Sequence, residues 1–138
     1  MKTTHLLTTD EPVEALAPLI AAAEAAGLRI GWLDLEASAE PPATLAGAVE
    51  AGVFRTVARS ETGLVTAKRV AGPLVLRDLL REHFLGCRLV LVRGEVDAPR
   101  LTRRGERWLV ASEAGRLELG TDDLVARLRR PAVTFLSS

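Results

Sequence analysis

Acidic residues and one arginine recur where the apolar runs of this sequence give out, and that placement is its main candidate for chemistry. Asp34 and Glu36 close the run at 28–35, Ser60, Glu61 and Thr62 follow the run at 54–58, and Arg93 and Glu95 follow the aliphatics of 89–92. Thr9 with Asp10 and Ser112 with Glu113 end two further runs in the same way. In an open parallel sheet, ligands bind where the carboxyl ends of strands meet loops and helix starts. Two or three acids gathered there could hold a metal ion, and Arg93 could clamp the phosphate of a small molecule. That outcome requires the strands to be neighbours. Polar residues are also what any loop carries, so a purely structural role stays open beside it.

A second cluster is basic. Arg100, Arg103, Arg104 and Arg107 crowd what reads as one loop, with Trp108 beside them. Guanidinium forks and a stacking ring could contact an anion, RNA or a partner. The competing reading is a solvated loop partly neutralised by Asp97 and Glu106. With 18 basic and 18 acidic residues the chain lacks the basic footprint of a nucleic-acid binder, which favours the solvated loop and argues against a nucleic-acid partner.

Other chemistries lack their residues. Neither G-x-x-x-x-G-K-[ST] nor G-x-G-x-x-G occurs. The first strand-to-helix turn, Thr8 to Pro12, carries acids where a phosphate site needs backbone N–H groups and a lysine. His5 and His83 have no third ligand at a recognisable spacing, so no metal site is assigned. Cys87, the single cysteine, reads as a small hydrophobe beside a strand, and no G-x-S-x-G elbow surrounds any serine. No catalytic residue and no cofactor are assigned.

The elements that would position these residues alternate between strand and helix. A weak strand at 5–9 ends at Asp10, a good N-cap. A helix stripe follows through Val13, Leu16, Ile20 and Ala23 to Gly27, with Pro18 an awkward interior proline. Residues 28–35 read as a buried strand, 37–42 as a loop, 44–51 as a small-residue helix, and 54–58 as a third strand. The stretch 64–71 is ambiguous, an extra strand or an irregular crossing. Gly72 and Pro73 open an amphipathic helix with Leu76, Leu79, Leu80, His83 and Phe84 on one face. Residues 88–93, four aliphatics between two arginines, suit the centre of a parallel sheet. Strands at 108–111 and 116–119 come next, then a helix capped by Thr121 and stopped by Pro131. The apolar tail 131–138 is expected to pack on the domain or on a second copy. The fold class is therefore α/β: a three-layer sandwich with a mostly parallel sheet, P-loop NTPase-like or flavodoxin/Rossmann-like, in a single domain over 1–138.

From Gly27 onward the segment order resembles the molybdopterin-guanine dinucleotide biosynthesis B family of P-loop GTP-binding adaptors. Gly27 to Ile30 is similar to that family's strand entry after its first helix, and Glu50 to Ala58 to its glycine-containing helix end and following strand. Arg88 to Gly94 is similar to its aliphatic strand, and 107–112 with 117–128 to its last strand and closing helix. The Walker lysine and glycines are absent, and Arg93 stands where the family has an acid. The resemblance implies a degenerate P-loop-like adaptor without ordinary GTP binding, a homodimer, and a link to molybdenum cofactor biosynthesis.

At 138 residues, 48% hydrophobic and 26% charged, the chain is large enough to fold around one core. The lone cysteine fits a reducing compartment, and the absence of a signal-like start or an apolar run of about 20 residues points to a cytoplasmic protein with no membrane partner. Two roles follow as expectations: a non-catalytic adaptor or binding module acting through a protein partner or homodimer, or a small enzyme or binder of a phosphorylated molecule using the strand ends.

Overall fold

The computed structural model describes residues 4–36, 43–59, 61–68, 70 and 72–131. The loop expected at 37–42, the candidate ligand Ser60 and the apolar tail after Pro131 lie outside them. In chain order the elements are β1 (His5–Thr8), a 3₁₀ turn (Val13–Leu16), α1 (Ala17–Ala25), β2 (Ile30–Asp34), α2 (Ala43–Glu50), β3 (Arg55–Arg59), β4 (Leu64–Lys68), α3 (Leu76–His83), β5 (Leu89–Arg93), β6 (Arg100–Arg104), β7 (Arg107–Ser112), β8 (Gly115–Gly120) and α4 (Thr121–Leu128). The contacts gather into two compact units, one of described residues up to Glu36 and from Leu79 onward, the other of those between.

The first unit is built on a six-stranded sheet in the order β2-β5-β1-β6-β7-β8. β2, β5, β1 and β6 are parallel, while β7 and β8 continue the sheet antiparallel. The protein is thus mixed α/β with a mostly parallel main sheet. Numbered along the chain, the four parallel strands stand in the order 2-3-1-4, which differs from both the 3-2-1-4-5-6 and the 2-1-3-4-5 doubly wound orders.

The aliphatic run of β5 occupies the place its composition demands. It lies between two parallel neighbours, and Leu89, Val90, Leu91 and Val92 are each 0% exposed. Because successive strand side chains alternate between faces, Leu89 and Leu91 join Leu7, Leu101, Trp108 and Val110 beneath a layer that includes Leu16, Leu19 and Ala23 of the α1 segment and Leu124 and Leu128 of α4. Val90 and Val92 point to the opposite face. There Gly31, the aligned partner of Val90, leaves room for Phe84 and Cys87: a Cβ at Gly31 would collide with Phe84 Cδ1 and lie 3.4 Å from Cys87 Sγ.

Helix ends follow local chemistry, with corrections to the sequence expectations. Pro18 is the second residue of α1 because a 3₁₀ turn comes first, so the ring sits where no N–H is missed. Asp10 does not cap this segment; Pro12 holds the N-cap position and the Asp10 carboxylate pairs with Arg100. Thr121 is the first residue of α4 rather than its cap, and its hydroxyl oxygen accepts from Trp108 Nε1 at 2.9 Å. The carboxyl end of α4 is satisfied by the residue just before β5: Arg88 Nε donates to the Leu128 carbonyl and Arg88 Nη2 to that of Arg129. Arg129 in turn donates to the Ala26 carbonyl just past α1. These cations stand where the helix dipole favours positive charge. His83 is exposed rather than core-facing.

Two strand expectations also change. Residues 100–104, read as loop, form β6, because a two-residue Gly105–Glu106 turn folds β7 back on it with Arg104 aligned to Arg107. Gly105, at φ +62°, supplies the positive angle that a type II′ hairpin needs at its first turn residue. The strand expected at 54–58 does form as β3, but it pairs antiparallel with β4 in a separate two-stranded sheet of the second unit rather than joining the parallel one. The ambiguous stretch 64–71 is thereby resolved in part as β4. In this unit α2 packs on β3 and β4, Leu45 is buried, and Phe54 remains 74% exposed. A single hairpin covered by one short helix offers little apolar area to hide.

Gly31→Ala is expected to lower the unfolding free energy by about 1–3 kcal/mol through overpacking against Phe84. A urea titration would measure this, and a shortened side chain, Phe84→Leu, should recover part of the loss in the double variant. His5 yields a pH prediction. It is 2% exposed with Nε2 2.7 Å from the Arg130 carbonyl oxygen. Burial pulls its pKa below 6.5, the Arg130 hydrogen bond pulling the other way and the Arg88 charge adding to the lowering. The folded imidazole therefore resists a proton that the unfolded chain accepts below about pH 6.5. The stability linked to His5 is complete above that pH and is lost as the pH falls toward the depressed folded value. Thermal melts at pH 7.5 and 5.5 should show a drop that His5→Asn reduces.

Candidate functional site

In the main sheet, the chain leaves β1 and passes beyond β5 to reach β2, then leaves β5 and passes beyond β1 to reach β6. The neighbours β1 and β5 therefore send their connections in opposite directions, and their carboxyl ends form the switch-point crevice where open α/β sheets take ligands. Its walls are Thr8 to Glu11 on one side and Arg93 to Glu95 on the other.

The polar groups of this crevice are bonded to one another. Thr8 Oγ1 donates to the Gly94 carbonyl and Thr9 Oγ1 to the Leu101 carbonyl, each at 2.8 Å. The Thr9 hydroxyl also accepts from the Glu11 N–H at 3.0 Å. The Glu11 carboxylate accepts from the Arg103 N–H at 2.8 Å, and Arg93 Nη2 donates to the Glu11 carbonyl at 3.2 Å. Thr8 and Thr9 are buried. A phosphate loop would present free amides here, whereas this turn presents Asp10, Glu11 and a proline, which has no N–H to give.

The candidate acids divide among separate places. Asp34 is the aligned partner of Arg93 at the ends of β2 and β5, and its Oδ1 accepts the Glu36 N–H at 2.9 Å, closing a local turn. Asp34, Glu36 and Arg93 are thus brought to one corner of the sheet. The Arg93 guanidinium lies 5.8 Å from the centre of the Trp32 ring, and among the described residues its buried Nε has no hydrogen-bond partner. Glu95 stands apart from that corner, on the loop to β6, where it lines an open cleft of about 770 Å³ with Thr8, Asp97, Arg100, Ala111 and Glu113. Glu61 and Thr62 belong to the β3–β4 turn of the second unit. Among the described residues, no group of three His, Cys, Asp or Glu side chains stands close enough to hold a metal ion.

The four arginines read as one cluster point two ways. Arg103 turns toward the core face, donating from Nη1 to the Ala15 carbonyl and lying 5.9 Å from the Trp108 ring. Trp108 is 1% exposed, so the proposed stacking ring is a core residue. Arg100, Arg104 and Arg107 alternate onto the opposite face, where Arg100 pairs with Asp10. Cys87 is half-buried, and burial pushes its thiol pKa up, which makes it a poor nucleophile.

Sequence reasoning missed the bonding between Thr9, Glu11 and the strands after them. The polar run after β1 was visible, but its partners lie some 90 positions away. Among the described residues, no helix is long and apolar enough to cross a membrane. No protein-family model matches the chain, and none of the curated proteins compared with it does.

Thr9→Val, nearly isosteric, would remove the donor to Leu101 and the acceptor for Glu11 while leaving the buried carbonyl unpaired. It is expected to cost about 1–3 kcal/mol by denaturant titration, with Thr9→Ser much milder.

Proposed function

We propose that this protein is a non-catalytic α/β binding module that acts through contact with another protein or a second copy of itself. The observation that carries this reading is the internal hydrogen bonding of the β1/β5 crevice. Thr8 and Thr9 bond the Gly94 and Leu101 carbonyls, Arg93 bonds the Glu11 carbonyl and the Glu11 N–H bonds Thr9, while the open cleft beside them is rimmed by Glu95, Asp97 and Glu113. Opening the crevice for a nucleotide would break one buried and several partly buried hydrogen bonds and set phosphate charge against Asp10 and Glu11. The strand order, which matches neither doubly wound pattern, supports the P-loop-like alternative. With it comes the proposed kinship to the molybdopterin-guanine dinucleotide biosynthesis B adaptors, in a member without the Walker A loop, and a place near molybdenum cofactor biosynthesis.

One observation favours a second reading, a binder of a phosphorylated small molecule that uses Arg93 with Asp34, Glu36 and Glu95. The unpartnered Nε of Arg93 leaves one donor of a charged fork unused. Thermal-shift measurements with GTP and magnesium, phosphorylated metabolites and divalent ions separate the two. A ligand at a hundred times its dissociation constant adds about 2.7 kcal/mol, several degrees for a domain of this size. The binding-module reading predicts no shift with any of them. A shift with a phosphorylated compound that Arg93→Ala abolishes would replace it with the second reading.

A further inference from the structure

Within the second unit, β3 and β4 pair with each other and, among the described residues, with no further strand. The register sets Arg55 opposite Lys68, Val57 opposite Thr66 and Arg59 opposite Leu64, and strand alternation puts these six side chains on one face. All are exposed except the half-buried Lys68, Val57 at 54% and Leu64 at 69%. On the other face Thr56, Ala58 and Ala67 are half-buried, as small residues packed against α2 would be. The outer face thus holds three cations, two aliphatics, a threonine and no acid. Its two strands differ. Along β3, Arg55 and Arg59 flank Val57, whereas β4 offers Leu64, Thr66 and a single lysine. An edge strand presents backbone N–H and C=O groups that can template another strand, and a hairpin alone is only marginally stable. β3 therefore combines an open edge with a basic–apolar–basic row of side chains.

We propose that β3 takes up an extended segment of a different protein as a third strand, with an acid, an aliphatic and a second acid at alternate positions beside Arg55, Val57 and Arg59. This rests on the binding-module reading above and names its surface and the chemistry of its partner. In strand addition the main-chain hydrogen bonds give affinity and the alternate side chains give specificity. Opposite charges at aligned positions of neighbouring strands stabilise the pair, and like charges there oppose it. Among the described residues, no strand of this chain carries an acid on each side of an aliphatic at that spacing, so the fitting segment comes from another protein and not from a second copy. A lipid surface or a single-stranded nucleic acid would answer the cations, but neither brings a peptide backbone to the open edge. Three basic side chains are also fewer than the clusters of about four to eight that mark lipid-binding segments.

An NMR titration of the isotope-labelled full chain with the synthetic peptide Glu-Thr-Val-Thr-Glu-Thr-Val-Thr-Glu tests the proposal. The amides of Thr56, Val57 and Ala58 should shift on saturable binding while those of β5 stay in place. Arg55→Glu with Arg59→Glu should weaken binding at least about tenfold. A peptide with lysine in place of each glutamate should prefer that double variant to the wild type by a similar factor, which also shows the variant to be folded. The acidic peptide methylated on its backbone nitrogens should bind at least about tenfold more weakly, a loss that a purely ionic contact would not show. No response up to about 1 mM peptide, binding that leaves β3 unmoved or survives the double charge reversal, or a methylated peptide that binds equally well would each overturn the proposal. So would tighter binding to phosphatidylserine vesicles or to a single-stranded oligonucleotide than to the peptide. None of these results touches the binding-module reading, which falls only to a ligand response in the thermal-shift screen.

Discussion

The structure depends on hiding four consecutive aliphatic side chains on both sides of one strand. Leu89 to Val92 cannot reach zero exposure at a sheet edge or on a face open to water, so β5 must have strands on both sides and cover above and below. β2 and β1 supply the first, aligned residue for residue. The α1 and α4 layer covers one face, and on the other Phe84 reaches in at Gly31. The strand order follows, since β1 and β2 must then lie two places apart and the chain must pass over β5 to connect them.

The same order creates the crevice between the ends of β1 and β5, and with it a demand that its polar groups be satisfied. In a nucleotide-binding sheet a ligand meets that demand. Here threonine hydroxyls, a glutamate and an arginine meet it. Polar groups already bonded to one another contribute rigidity but no affinity, which favours the proposed binding-module reading. On β6–β8 the face turned away from α1 and α4 carries charged residues, Arg100, Arg104, Arg107, Arg116 and Glu118, where the other carries Leu101, Trp108 and Val110.

Local chemistry was legible wherever it decided the outcome. β5 could be read from its unbroken aliphatics, α3 from its apolar stripe, and the stop of α4 from Pro131. β6 was not legible, because Arg-Leu-Thr-Arg-Arg has one apolar residue and is held as a strand by β7 on one side and the end of β1 on the other. β3 looked like a sheet strand and is one, yet its partner β4 is set by chain proximity and not by composition. The candidate site was legible only as a set of polar strand ends. Which ends meet depends on strand order, and that is fixed by pairings between residues far apart in the chain, Ile30 with Leu89, His5 with Leu89 and Thr8 with Arg100.

Native-state hydrogen exchange read by NMR tests the central claim most directly, through the amides of Thr9, Glu11 and Arg103. They are bonded respectively to the Val92 carbonyl, the Thr9 hydroxyl and the Glu11 carboxylate. A closed crevice predicts protection for all three, with Thr9 exchanging only through the global unfolding that also exposes Leu89 to Val92. Exchange of Glu11 and Arg103 at the rate of free amides, while β5 stays protected, would show an open crevice and contradict the account.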